Sequence, residues 1–160
     1  MNHPFRILPI IFRARRPSST ADMPAVADAF WLKRGYTAMT FFGKIITHTQ
    51  QEAEALNKGM NALKRHELIH LRQAQSCGDS WLRFYWKYLG YWLKGCRMRR
   101  KLPNAGYLLN PFEMEAYAHM YDADYLDSCV QGAEEWRHYA GLTLEERLRL
   151  YLNTQCRKTP

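Results

Sequence analysis

The sequence predicts a small α+β domain that is mostly helical, with a short β-sheet ahead of one of its helices. Its 160 residues are 47% hydrophobic, which is enough for one domain with its own core and argues against disorder of the whole chain. One stretch, residues 38–47, is rich in β-formers, whereas longer stretches repeat apolar residues at helical spacing between capping residues. We place this single domain at residues 26–160.

Residues 1–25 are expected to form a flexible basic N-terminal arm. They mix apolar residues with prolines and arginines and include a Pro-Ser-Ser-Thr stretch at 17–20, a composition typical of poorly structured chain. The apolar run at 7–12 contains a proline and is followed by arginines instead of a small-residue cleavage site. It therefore lacks the pattern of a secretory signal.

The β-rich segment 38–47 is interpreted as a strand in which Gly43 marks a bulge or a close backbone approach. The polar segment that follows, 50–61, predicts a short helix and a turn. A longer helix then begins near Asn61, whose side chain can cap it.

Residues 81–95 form the most apolar predicted helix, which Asp79 or Ser80 can cap and Gly95 can end. At 100° per residue its polar stripe is narrow. That stripe consists of Arg83, Lys87, Gly90 and Lys94. We expect such a helix to bury most of its circumference as the main core element. The alternative is a helix at an anionic membrane surface, which the basic run at 97–101 supports.

The C-terminal third predicts three more helical segments. Asn110 can cap a helix whose first residue is a proline, and tyrosines at helical spacing extend it to about Cys129. Residues 136–139 predict a short helical turn. The capping box at 143–146 begins a final helix that runs through about Thr154.

The net charge of +8 and the isoelectric point of about 9.5 favour an anionic partner, such as a membrane surface, nucleic acid or an acidic substrate. Nucleic acid is disfavoured because the sequence shows no recognition module. The four cysteines form no CxxC pair, which indicates reduced thiols. No window offers the roughly 18–20 uncharged apolar residues of a membrane span. We expect a cytoplasmic protein, with peripheral attachment to the inner face of the membrane left open, and the oligomeric state is not indicated.

The motif that points to chemistry is His66-Glu67-Leu68-Ile69-His70, an HExxH pattern. On a helix, residues four apart lie on one face, so the imidazoles of His66 and His70 can converge on one ion. Zinc is the expected ion, because it accepts neutral imidazole and keeps an open position for water when two histidines and one carboxylate hold it. Glu67 would face that water. The alternative is an ordinary amphipathic helix whose histidines are solvated or hydrogen-bonded.

A third protein ligand is needed, and the Phe-Glu-Met-Glu-Ala-Tyr segment at 112–117 is the best source. It offers Glu113 and Glu115, which lie about 200° apart around a helix, so both cannot face the same ion alike. Glu113 has a second interpretation as part of a capping box with Asn110.

The HExxH motif, followed about forty residues later by a helical ExEA segment, resembles the gluzincin zinc peptidases of the thermolysin and CAAX-prenyl-protease types. The likeness covers about residues 36–129 and is strongest to small bacterial HExxHxxQ proteins with an NPFExEAY-like second motif. It implies one zinc ion held by His66, His70 and Glu113, and a peptide or protein substrate. Glu67 would be the general base, and Gln73, which matches the HExxHxxQ variant, could support a metal ligand.

In this family the ligand glutamate is followed three positions later by a small residue. Ala116 stands three positions after Glu113, so the resemblance favours Glu113 over Glu115. Tyr117 departs from the acidic or amide residue that the family often has next. Metzincin spacing is excluded, since Gln73 and Ser76 stand where that family needs glycine and histidine. The candidates for stabilising the oxyanion are His119, Arg137, His138 and Tyr139.

Together these patterns predict a zinc metallopeptidase in which Glu67 activates the attacking water. The strand at 41–46 could bind an extended peptide at its edge. The alternative function is that of a basic protein that binds a metal without catalysis or binds a membrane surface.

Overall fold

Helices dominate the part of the chain that the computed structural model describes, which comprises residues 16–19, 23–27, 38–129 and 132–156. A 3-10 turn at Pro17–Ser19 precedes the strands β1 (Ala25–Ala27), β2 (Ala38–Phe41) and β3 (Lys44–Thr47). The α-helices are α1 (Gln50–Asn57), α2 (Ala62–Ser76), α3 (Trp81–Gly95), α4 (Ala105–Leu108), α5 (Pro111–His119), α6 (Tyr125–Ser128), α7 (Trp136–Gly141) and α8 (Leu144–Cys156). The predicted α+β class, with a small sheet ahead of the HExxH helix, is confirmed.

The sheet has the strand order β1-β3-β2, with β1 parallel and β2 antiparallel to β3. Strands β2 and β3 are joined by Phe42 and Gly43, whose φ angles are 44° and 82°. Two consecutive residues with positive φ form the tight turn that suits the twist of a hairpin. The prediction of one strand over 38–47 is therefore wrong, because Gly43 lies in a turn between two strands and not in a bulge.

The arm expected over residues 1–25 is described only in part, and the described part is packed. Pro17 is buried, Met23 is 0% exposed within the main core, and Ala25 begins strand β1. Pro17, Met23 and Ala25 therefore contribute to the packed part of the fold. Residues 1–15 lie outside the described residues.

Side-chain caps fix the helix starts as predicted. The capping side chains are those of Asn61 for α2, Ser80 for α3, Asn110 for α5 and Thr143 for α8. Each accepts a hydrogen bond from a backbone N–H in the first turn, which would otherwise lack a partner. The short helices predicted within 50–61 and at 136–139 are also present, as Gln50–Asn57 and Trp136–Gly141.

Helix α5 ends at His119, so the prediction of one helix to about Cys129 is wrong. Just after this helix, the backbone carbonyl of Met120 accepts a hydrogen bond of 2.7 Å from the Arg65 guanidinium. The Asp122 side chain accepts from the Asp124 N–H at 3.0 Å, a local turn that competes with helix. The spacing of the tyrosines gave a wrong prediction because Tyr121 is 73% exposed and does not belong to a buried face.

An aromatic cluster forms the centre of the main core and holds three of the helices together. The Phe112 ring lies 4.9 Å from Phe84 of α3 and 4.7 Å from Trp136 of α7. Leu68 and Leu71 of α2 belong to the same core. The helix that carries the HExxH motif and the helix that carries Glu113 are therefore fixed against one packed layer.

Helix α3 buries one face only, so the expectation that it buries most of its circumference is wrong. Its buried residues are Trp81, Phe84 and Gly95. Its exposed large apolar residues are Leu82, Trp86, Leu89, Trp92 and Leu93. Only one face is buried because the core lies on only one side of this helix. Within the described ranges, no helix is both long and apolar enough to cross a membrane.

Candidate metal centre

Three predicted residues converge at the middle of helix α2. The Nε2 atoms of His66 and His70 are 3.2 Å apart. Glu113 of α5 places Oε2 3.2 Å from His66 Nε2 and Oε1 3.4 Å from His70 Nε2. All three side chains are buried. The three donors therefore face one point, as the four-residue spacing and the ExEA register predicted.

The spacing of these atoms fits a zinc ion. Tetrahedral zinc with imidazole and carboxylate ligands at about 2.0–2.2 Å holds neighbouring ligand atoms about 3.3–3.6 Å apart. The two imidazole nitrogens are 3.2 Å apart, and each lies 3.2–3.4 Å from a different oxygen of Glu113. One ligand atom from each residue lies within 4.8 Å of the other two. Two imidazoles and one carboxylate are also a ligand set that zinc prefers over calcium or magnesium. The residues present thus fit the ion that the sequence predicted.

In the metal-free protein, His70 and Glu113 shift each other's pKa in opposite directions. Burial acts to lower the pKa of His70, but the Glu113 charge and hydrogen bond raise it to about 9. Burial acts to raise the pKa of Glu113, but the two histidines, His70 foremost, hold it far below its usual range. A proton on His70 therefore occupies the position that a metal cation would take.

Two buried polar atoms of this group make no hydrogen bond, which suits a site that holds a cation. Among the residues the structure describes, Glu113 Oε2 and His66 Nδ1 are buried without a hydrogen bond. The other Glu113 oxygen accepts a hydrogen bond from the Tyr88 hydroxyl at 2.7 Å. Since buried polar atoms rarely lack a partner, Oε2 is the natural position for a metal ligand.

Gln73 holds His70 in the orientation that metal binding needs. Its Oε1 lies 2.7 Å from His70 Nδ1, and its amide nitrogen donates to Glu115 Oε2 at 2.6 Å and to the Phe112 carbonyl at 2.9 Å. Because the amide nitrogen is already used, Oε1 accepts and His70 Nδ1 carries a proton. That leaves Nε2 as the ligand atom of neutral His70.

Glu115 lies on the other side of helix α5 and does not join the ligand group. Its carboxylate accepts from Gln73, from the Tyr125 hydroxyl at 2.6 Å and from the Glu135 N–H at 2.9 Å. Burial raises the pKa of Glu115, and these three hydrogen bonds oppose the rise. The structure therefore brings Glu113, and not Glu115, to the two histidines.

Glu67 is buried next to the ligand group and is held by the sheet. Its Oε2 accepts a hydrogen bond of 2.5 Å from the hydroxyl of Thr40 in strand β2. Its charge is one of the causes that raise the pKa of His70. The sequence predicted Glu67 but not Thr40, because their contact joins elements 27 residues apart.

Three tyrosines surround the ligand group, and sequence reasoning did not identify them as site residues. Tyr88 donates to Glu113, the Tyr117 ring lies 4.7 Å from the His66 ring, and the Tyr107 and Tyr117 hydroxyls are 3.0 Å apart. Burial and the Glu113 charge raise the pKa of Tyr107 far above its usual value. The three come from helices α3, α4 and α5, so no local pattern indicates that they meet.

The predicted oxyanion-stabilising residues make their contacts elsewhere. His119 and Tyr139 both bind Glu135, at 2.7 and 2.9 Å. Arg137 donates to Glu134 and to the Ser76 carbonyl, and His138 is exposed. Since the Glu135 N–H donates to Glu115, His119 and Tyr139 are connected to Glu115 and not to the group of His66, His70 and Glu113.

The predicted peptide-binding edge at 41–46 is also largely used within the fold. Strand β3 lies at the centre of the sheet, and β2 lies at its edge. The Tyr85 hydroxyl donates to the Thr40 carbonyl at 3.1 Å and accepts from the Phe42 N–H at 3.0 Å. A peptide strand could pair with β2 at these positions only by displacing Tyr85.

Comparisons with protein-family models, with curated proteins and with solved structures give no match to this chain. The resemblance to gluzincins consequently rests on the two motifs alone, and the local geometry of His66, His70 and Glu113 is the observation from which function has to be argued.

Proposed function

We propose that this protein is a zinc-dependent metallopeptidase. One observation carries the proposal: the buried ligand atoms of His66, His70 and Glu113 converge at 3.2–3.4 Å, with the Glu67 carboxylate beside them. A helix that only packed its histidines into a core would not need a buried carboxylate at the same point. Zinc with an adjacent general base is the arrangement that hydrolyses amide bonds.

Each side chain has a role in this proposal. Bound zinc would lower the pKa of a water molecule toward about 7 and polarise a substrate carbonyl. Glu67 would take a proton at its carboxylate and return it to the leaving amine. Gln73 accepts the Nδ1 proton of His70, so Nε2 is the atom that would bind the metal. The Tyr88 hydroxyl holds Glu113, and the paired hydroxyls of Tyr107 and Tyr117 would supply the donor to the developing oxyanion.

A second candidate function is a structural metal site without catalysis. It is favoured by the burial of all three ligands, which are 3–5% exposed, and by the hydrogen bond that already holds Glu67. In that case Glu67 stabilises the fold through Thr40 and takes no part in a reaction. The two candidates agree on zinc and differ only in what Glu67 does.

The test is turnover by tag-free zinc-loaded protein on fluorescently quenched peptide mixtures and on labelled casein. We expect cleavage by the wild type, loss of cleavage in Glu67→Gln, and an equal zinc content in both. Glu54→Gln, at an exposed acidic position, is the matched control and keeps full activity. Cleavage by Glu67→Gln at the wild-type rate contradicts the proposal, and so does a zinc-loaded wild type that cleaves none of these substrates.

A further inference from the structure

The outer face of helix α3 carries a continuous apolar stripe that the fold leaves exposed. Leu82, Trp86, Leu89 and Leu93 are spaced at i, i+4, i+7 and i+11, so they lie in one row along the helix. Their exposed fractions are 66%, 78%, 47% and 57%. At 1.5 Å per residue this row is about 16 Å long. Single exposed leucines are common on proteins, but an aligned row that includes an open tryptophan indicates a binding surface.

A row of cations runs beside this apolar stripe. Arg83, Lys87 and Lys94 are exposed and lie about 100° further around the helix than the leucines. The segment between Asp79 and Glu113 contains seven Lys and Arg residues and no Asp or Glu. Most of the net charge of +8 is therefore concentrated on helix α3 and the turn that follows it.

Arg83, Lys87 and Lys94 form no ion pair within the described ranges. There, the ion pairs formed by Lys and Arg join Lys101 to Glu145 and Arg137 to Glu134. Lys87 places Nζ 5.6 Å from the centre of the Trp136 ring, which leaves its charge in place. The positive row is thus available to an anionic partner.

We propose that the outer face of helix α3 docks this protein on the surface of an anionic lipid bilayer. Leucine and tryptophan side chains enter the boundary between headgroups and acyl chains, while the arginine and lysines beside them contact lipid phosphates. Tryptophan favours this boundary because its ring is apolar and its N–H is polar. A nucleic acid would use the cations but would leave the row of leucines in water.

Docking in this way places the candidate metal centre directly behind the membrane-facing surface. The inner face of the same helix supplies Tyr88, which donates to Glu113, and Tyr85, which caps strand β2. Helix α3 is therefore one wall of the metal centre and also the lipid-contacting surface. The docking itself does not depend on zinc or on Glu67, so it stands apart from the proposed peptidase activity.

The test is flotation of full-length protein with vesicles of phosphatidylcholine alone or mixed with phosphatidylglycerol. We expect binding to the mixed vesicles and little binding to phosphatidylcholine, with salt weakening the former. Trp86→Asp and Leu89→Asp should each lower the affinity at least tenfold, since each removes an inserted apolar side chain. Lys94→Glu should lower it by more than about fivefold, because one basic residue near an anionic surface contributes about that factor.

Matched controls separate this face from general charge or hydrophobicity. Leu152→Asp and Arg149→Glu change exposed positions on helix α8 by the same chemistry, and both should float like the wild type. Circular dichroism and zinc content of every variant check that the fold is intact. Because the altered positions on α3 are exposed, we expect both to be unchanged.

Three outcomes would overturn the proposal. The first is no flotation with either vesicle. The second is flotation that the α3 and α8 variants reduce equally, which would mean nonspecific charge attraction. The third is a wild-type dimer that Trp86→Asp converts to a monomer without any lipid binding, which would assign this face to a second copy of the chain.

Discussion

Glu113 and Glu115 are both buried, two residues apart on helix α5, but their partners are of different kinds. Glu113 faces two imidazoles and the Tyr88 hydroxyl. Glu115 faces an amide, a phenol and a backbone N–H. Imidazoles can exchange a proton for a metal cation, whereas the donors around Glu115 cannot. One side of the helix is therefore suited to hold an ion, and the other side is suited to hold the helix itself in place.

The largest expected effect is the loss of zinc on removing the Glu113 carboxylate. In Glu113→Ala, zinc affinity should fall by at least about a thousandfold, because two neutral histidines alone do not complete a zinc site. Competition with a fluorescent chelator at neutral pH measures this. Glu115→Gln is the matched control, and its affinity should stay within about tenfold of the wild type. Equal losses in the two variants would show that the two sides of the helix do not differ in this way.

The next effect is on folding and concerns the other carboxylate. Glu115→Ala leaves the Gln73 amide, the Tyr125 hydroxyl and the Glu135 N–H without their acceptor. Each unsatisfied buried donor costs about 1–3 kcal/mol, and since two of the three are only partly buried we expect a total of about 3 kcal/mol. Urea unfolding of the metal-free protein measures the free energy of unfolding. Glu134→Ala, which removes an exposed ion pair, should change it by less than about 1 kcal/mol.

The pH dependence of zinc binding follows from the raised pKa of His70, which is about 9. Below that pH zinc must displace the proton on Nε2, while Glu113, whose pKa is lowered, is already ionised. Zinc affinity should therefore rise about tenfold per pH unit, or about a hundredfold between about pH 7 and pH 9, and then level off. Calorimetry in buffers of different ionisation enthalpy should detect about one released proton. A flat affinity over this range would mean that His70 is already neutral in the metal-free protein.

The same raised pKa predicts the opposite trend for the metal-free fold. A proton on His70 is bound more tightly in the folded chain than in the unfolded chain, so it stabilises the fold fully below the ordinary histidine pKa of about 6.5. This stabilisation should be lost as the pH rises through about 9. Thermal unfolding of metal-free protein, compared with His70→Gln, measures the difference. The stabilisation should be absent from the variant.

The smallest of these effects belongs to the residue that connects the two carboxylates. Gln73→Met removes the acceptor of the His70 Nδ1 proton and one donor to Glu115. We expect zinc affinity to fall about 10–100-fold, as for other groups that orient a metal-bound histidine. Gln75→Met, two residues along the same helix and only partly buried, is the control and should bind zinc like the wild type.

The sequence predicted those features of this site that depend on local spacing. His66 and His70 are four apart on a helix with a clear cap, so their convergence needed no knowledge of the rest of the fold. Glu113 was harder, because helical geometry separates it from Glu115 without saying which one turns inward. The second motif of the family pattern favoured Glu113 over Glu115, and in the structure Glu113 lies against the two histidines.

The features that were missed depend on contacts between distant elements. Thr40, Tyr88 and Tyr107 come from a strand and two other helices, and nothing near them in sequence marks them as neighbours of Glu67, Glu113 and Tyr117. The turn at Phe42 and Gly43 was missed because both strands of the hairpin are rich in β-formers. The outer face of α3 was expected to be buried, since apolar content predicts burial but does not tell how many sides of a helix the core can cover.

The most direct test of the metal centre is zinc content together with zinc X-ray absorption, measured on tag-free protein and on Glu113→Ala. We predict one zinc ion per chain in the wild type, with two imidazole ligands at about 2.0–2.1 Å and no sulfur ligand. We predict its loss from Glu113→Ala, which should remain folded. Folded wild-type protein that takes up no zinc when zinc is supplied, or that binds it through sulfur, would contradict the assignment of His66, His70 and Glu113 as a metal centre.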